Sequence, residues 1–151
     1  QMYKFAKEND MIEKDYSEFV KINIADDDER GVPFSQEELD ILWKHSDLAD
    51  VRMILIMIYS GYRIKAFETI NINFEQNYFQ GGVKTAAGKD RIVPIHPCIL
   101  PFVEEFSHLH FTAINFRAKH FYPALKSLGI SMSVENTKHT PHDCRHTFSW
   151  F

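Results

Sequence analysis

Thr140-Pro141-His142-Asp143-Cys144-Arg145-His146-Thr147-Phe148 reads as the opening of a helix with two different faces. Thr140 is a cap residue, Pro141 suits the first helical position, where its missing N–H would lack a partner anyway, and Asp143 sets an acid at the third. His142 and Arg145 are three apart and share a face. Cys144, Phe148 and Phe151, spaced four and then three, predict the buried stripe on the other side. Such a helix buries one side and aims an imidazole and a guanidinium from the other. His142 and His146 also have the i, i+4 spacing of zinc-binding helices, which opens a metal-dependent hydrolase as one reading. That motif wants Glu beside the first His as general base, however; here the neighbour is Asp143, and no third ligand declares itself.

Working back along the chain, Gly82-Val83-Lys84-Thr85-Ala86-Ala87-Gly88-Lys89-Asp90-Arg91-Ile92-Val93-Pro94-Ile95 reads as a hairpin, with strands over 78–83 and 91–95. Pro94 makes the second strand an edge strand or ends its pairing. Lys84, at a strand end beside the turn, can reach a phosphate or a base edge as a point charge or proton donor. Further back, Ser60-Gly61-Tyr62-Arg63-Ile64 puts an arginine straight after a glycine turn, where a bidentate fork suits an anion. The ordinary alternative is a surface pair between Arg63 and Glu68.

The remaining elements follow from local signals. Ser35-Gln36-Glu37-Glu38 is a capping box with Phe34 and Leu39 as its hydrophobic staple, predicting a helix to about Lys44. A second helix is predicted over 47–59, apolar all round at 53–58 and so central, with Gly61 as a left-handed cap. A third is predicted over 64–70. Residues 97–106 and 112–128 read as helical, with Pro123 kinking or splitting the latter. The class is α+β, a mainly helical domain with one small antiparallel sheet.

The composition, 44% hydrophobic with 13 Phe, predicts an aromatic-rich core. The longest apolar run, 53–59, falls far short of the roughly 20 residues that span a bilayer, and the charged start has no signal-peptide pattern. Cys98 and Cys144 form no CxxC pair, which argues against a disulfide framework and for a cytoplasmic location. The net charge is −4, but it is unevenly spread. Residues 1–50 carry 6 basic and 14 acidic side chains; residues 51–151 carry 11 and 7, with seven of the eight His. A basic region behind an acidic lead-in is compatible with a phosphate-binding face.

In this order the three clusters resemble the motif series of the tyrosine recombinase, or phage integrase, family: Arg63 in its Ser-Gly-Tyr-Arg turn, the Lys84-Thr85 hairpin ending in Arg91-Ile92-Val93-Pro94-Ile95, and His142-Asp143-Cys144-Arg145-His146-Thr147-Phe148. The resemblance covers 33–151 and implies part of a catalytic domain, with 1–32 as a lead-in from a core-binding domain. It implies site-specific recombination or integration of a mobile element, with double-stranded DNA as partner and no cofactor, metal or membrane. In this family a tyrosine attacks a DNA phosphodiester, leaving a 3′-phosphotyrosine and a free 5′-hydroxyl; a second 5′-hydroxyl reverses the attack. Arg63 and Arg145 match the two arginines that stabilise the pentavalent transition state, each such donor being worth ~3–4 kcal/mol. Lys84 matches the lysine that protonates the leaving oxygen. His142 matches the histidine that assists proton transfer and holds the phosphate. His146 matches the second histidine of the box, a phosphate-binding candidate whose alternative role is structural, bonding within the helix region.

The sequence departs from the family in three ways. The usual acid three residues after the first arginine is Ala66. None of the six tyrosines (Tyr3, Tyr16, Tyr59, Tyr62, Tyr78, Tyr122) follows the His142–Arg145 box. The core-binding domain that the resemblance implies is expected to be missing from these 151 residues. The 151-residue chain is therefore expected to be monomeric and to form no covalent DNA adduct, whereas full recombinases act as tetramers on DNA. A non-catalytic DNA-binding remnant or regulator of the same fold is the alternative, and a structural helical domain with coincidental motifs a further one.

Overall fold

The computed structural model describes residues 31–82, 90–107 and 111–150. Ser35 opens α1 (Gln36–Lys44) with the expected reciprocal capping box: Glu38 N–H donates to Ser35 Oγ at 3.3 Å, and Ser35 N–H donates to Glu38 Oε2 at 2.8 Å. The central helix α2 (Ala49–Ser60) starts two residues later than the sequence suggests and ends one later. Arg52 holds 45–48 as a turn instead, donating from Nε to Ser46 O at 2.8 Å and from a terminal nitrogen to Asp47 O at 2.6 Å. Val51 and 53–58 are all buried, as the all-round apolar run requires. Gly61 ends α2 in the left-handed region, at φ 61°.

The helix predicted over 64–70 is a short 3-10 helix, Ile64–Glu68. It is confined between the Gly61 turn and the β-branched pair Thr69-Ile70, and one tight turn is what fits there. A strand the sequence reading missed follows. β1 (Asn71–Asn73), β2 (Tyr78–Gly81) and β3 (Arg91–Pro94) form an antiparallel sheet in the order β1-β2-β3. Phe79 sits opposite both Ile72 and Val93, and Gly81 opposite Arg91. Pro94 is the last residue of the edge strand β3, where its missing N–H is tolerated. The β1–β2 turn closes through Asn77 at φ 53° and a bond from Gln76 N–H to Asn73 Oδ1 of 2.9 Å.

A 3-10 turn (Pro97–Ile99) leads into α3 (Leu100–Phe106). α4 (Ala113–Phe116) then passes through a π-helical turn, Arg117–Phe121, into α5 (Tyr122–Ser127). Pro123 is the second residue of α5. It has no N–H for the i→i−4 ladder, and the π turn in front of it absorbs the break that the proline predicts. The core is aromatic as expected: Phe67 stands edge-on to Phe79 at 6.4 Å and to Phe106 at 5.8 Å, with Phe111 and Phe116 continuing the chain of rings. No helix among the described residues is long and apolar enough to cross a membrane.

The last helix, α6 (Pro141–Phe148), lies along α2 and has the capping box of Thr140 and Asp143. Its buried face differs from the predicted stripe. Pro141, Asp143, Cys144 and Thr147 are buried, Phe148 is 37% exposed, and Phe151 lies outside the described residues. The helix is rotated because its two buried polar residues have partners inside. Asp143 meets His139, and Thr147 accepts from Phe34 N–H at 2.9 Å while donating to Asp143 O at 2.8 Å. Thr147→Val keeps the shape but leaves the Phe34 N–H buried without an acceptor. Urea unfolding is expected to show a loss of about 1–3 kcal/mol at an unchanged m-value. A loss within the roughly 0.5 kcal/mol of an ordinary surface substitution would contradict that role.

Candidate functional site

The left-handed turn at Gly61 swings the chain off the end of α2 and presents Arg63, exposed, as the residue before the 3-10 helix. α6 comes alongside, and Arg145 donates from Nη1 to Gly61 O at 2.7 Å. Two motifs separated by more than eighty residues thus meet at one peptide group. An open cavity of about 240 Å³ lies beside them, lined by Arg63, Lys65, Arg117, Thr140 and His142.

Like charges dominate this corner. Burial, then the charge of Arg63, then that of Arg91, hold the Arg145 guanidinium below its usual range. Burial, then His146, Arg63 and Arg145, push the His142 imidazole down, against a smaller upward pull from Asp143. That carboxylate faces inward to His139 and Thr140. Glu68, the ordinary partner for Arg63, accepts instead from Ala113 N–H at 2.9 Å, and among the described residues no ion pair engages Arg63 or Arg145. Guanidinium groups held together without a carboxylate are an arrangement that an anion neutralises.

Arg63, His142 and Arg145 are brought together; Lys84 lies outside the described residues. The base of its hairpin is fastened to the same turn by Arg91, which the sequence reading did not single out. Tyr62 Oη donates to Arg91 O at 2.5 Å, and the Arg91 guanidinium lies 5.2 Å over the Tyr62 ring and donates to Ser60 O at 3.5 Å. Its position in the Arg-Ile-Val-Pro-Ile run was the available signal. Arg117, also missed, reaches the cavity from the π turn, with Nε donating to Tyr122 Oη at 3.1 Å.

His146 stands edge-on to His142 at 4.7 Å and does not line the cavity. Among the described residues its Nε2 is buried with no hydrogen-bond partner, and the Gly31 backbone packs so closely over it that a Cβ at Gly31 would fall 2.2 Å from His146 Cδ2. Gly31, read as lead-in, therefore packs against α6. Among the described residues no three His, Cys, Asp or Glu side chains are grouped to hold a metal ion. Comparison of the chain with protein-family models, with curated proteins and with solved structures found no match in any of the three.

Proposed function

We propose that this chain grips the phosphodiester backbone of double-stranded DNA between Arg63, Arg145 and His142, as part of a tyrosine-type site-specific recombinase that breaks and rejoins strands through a 3′-phosphotyrosine. What supports the reading is the meeting of Arg145 with Gly61, which brings the two motif arginines to one corner with His142 and, among the described residues, no carboxylate partner. In the proposed reaction a tyrosine oxygen attacks phosphorus as the P–O5′ bond breaks. The arginines stabilise the charge gathering on the non-bridging oxygens, and Lys84 gives its proton to the departing 5′-oxygen. The non-catalytic alternative shares the surface and keeps one point in its favour: Ala66 stands where the family has an acid, and it is buried.

The test is binding of the 151-residue chain to a short labelled duplex across a salt series. Two arginines and one further cation on phosphates predict a log–log slope of about −3. The free His142 imidazole is held below its ordinary range by burial, His146 and the two arginines. An entering anion raises its proton affinity, so binding is expected to tighten as pH falls towards that depressed value. Affinity indifferent to salt and pH would remove the phosphate reading.

A further inference from the structure

We propose that His139 is a positioning residue: clamped as an imidazolium between Glu38 of α1 and Asp143 of α6, it fixes the rotation of α6 and so aims His142 and Arg145. The inference rests on the DNA-phosphate reading for what is aimed at, and on geometry for the clamp.

The ring of His139 is fully buried, and both nitrogens face carboxylates. Nδ1 lies 2.9 Å from Asp143 Oδ2 and Nε2 lies 3.2 Å from Glu38 Oε1. An ionised carboxylate only accepts, and a neutral imidazole has one N–H. With one proton, one of the two contacts would set lone pairs against each other; with two protons, both become charge-assisted hydrogen bonds. The second negative charge is met by backbone donors, Ser35 N–H on Glu38 Oε2 at 2.8 Å and Thr140 N–H on Asp143 Oδ2 at 2.9 Å. Phe34 stacks on the ring at 4.1 Å and 13°, and His139 N–H donates to Ser131 O at 3.0 Å. The ring is therefore fixed on every side the described residues supply. The charged groups facing it among them are Glu38 from α1 and Asp143 from α6; the segments before α1 and before His139 contribute Phe34 and a backbone carbonyl.

A buried ion triad of this kind is weak evidence for stability, because desolvation offsets the attraction. What it supplies is geometry. Asp143 sits between His142 and Cys144, two residues before Arg145, so a pin at Asp143 sets which way those side chains leave the helix. Thr147, one turn on, is the second pin on the same face. Burial pulls the His139 proton affinity down, but the hydrogen bonds and charges of Asp143 and Glu38 carry it above the ordinary value. For a raised value the clamp is complete below about pH 6.5 and is lost as pH rises through the folded-state value.

The experiment uses the whole chain with ¹⁵N-labelled histidine, as wild type, His139→Gln and Glu38→Gln. It records the His139 ring signals, the His142 titration midpoint and the affinity for a short duplex at fixed salt. The expected result is a His139 ring doubly protonated beyond the pH at which a free histidine loses its proton. Both variants should show a moved His142 midpoint and duplex binding weakened about tenfold, the size typical of losing an orienting partner. A singly protonated His139 at neutral pH overturns the proposal, as do folded variants with lower stability but unmoved His142 and unchanged affinity. If His139→Gln fails to fold, Glu38→Gln, which removes one of the two charges, carries the same comparison. If the wild type binds no duplex, the phosphate reading falls, while the His139 signals and the His142 midpoint, which need no DNA, still decide the clamp.

Discussion

Gly61→Ala is expected to destabilise the chain by about 2–5 kcal/mol and to weaken anion binding at the same time. Two costs add. Gly61 sits at φ 61°, ψ 16°, a conformation in which a side chain costs about 1–2 kcal/mol. A Cβ there would also lie 2.4 Å from Phe148 Cδ1 and 2.7 Å from Cγ. Contact with Cγ, the root of the ring, cannot be relieved by a swing of its tip; the whole ring must leave its place, an overpacking cost of about 1–3 kcal/mol. The same peptide carries the carbonyl that accepts from Arg145, so a shifted turn moves that guanidinium as well. A double-mutant cycle separates the terms. Phe148→Ala removes the clash but not the backbone strain, so the pair should recover roughly half of the loss and show a coupling of about 1–3 kcal/mol. Urea unfolding of the four proteins measures it. A Gly61→Ala loss below about 0.5 kcal/mol, the range of an ordinary surface change, would show that the turn relaxes freely.

Where the chain speaks through neighbours three or four residues apart, the sequence was legible. The boxes at Ser35 and Thr140 close within one turn, the 53–58 run has no polar face to expose, and Pro123 removes a named hydrogen bond; each reads without tertiary knowledge. β1 was illegible because Asn71-Ile72-Asn73 has weak β-propensity and is held by its pairing with β2. The rotation of α6 was illegible for a similar reason. Asp143 and Thr147 look like surface residues until Glu38, which closes the clamp on neighbouring His139, and Phe34 arrive from far along the chain. His139 itself, a lone histidine before Thr-Pro, carries no pattern; both its partners must be folded before its role exists. In the candidate site the residue types and their order gave Arg63, His142 and Arg145. Arg91 and Arg117 gain their roles from Tyr62 and from the cavity, neither of which is sequence-local.

Arg145→Ala is expected to weaken binding to a short duplex about 10–100-fold and to flatten the salt slope by about one. A hydrogen bond to a charged group contributes about 1.5–3 kcal/mol, and each phosphate neutralised releases about one counterion. Arg145→Lys should restore the slope but only part of the affinity. The planar fork can keep one nitrogen on Gly61 O and offer others to a phosphate, whereas an ammonium is a single point that must choose. Because Arg145 also bonds the chain, its removal alone does not distinguish lost phosphate contact from a loosened turn. Arg63→Ala makes that distinction. Among the described residues Arg63 makes no hydrogen bond or ion pair, and it is exposed, so its loss should reduce affinity and salt slope with stability held within about 0.5 kcal/mol. Arg52, bonded to Glu105 and stacked 5.9 Å over Phe102, carries the same charge away from the cavity, and Arg52→Ala should leave the salt slope unchanged. If all three alanine variants lose affinity alike, the chain binds DNA through diffuse charge and the Arg63–Arg145 corner has no special part. If only the two corner arginines change the slope, the phosphate is held where the two motifs meet.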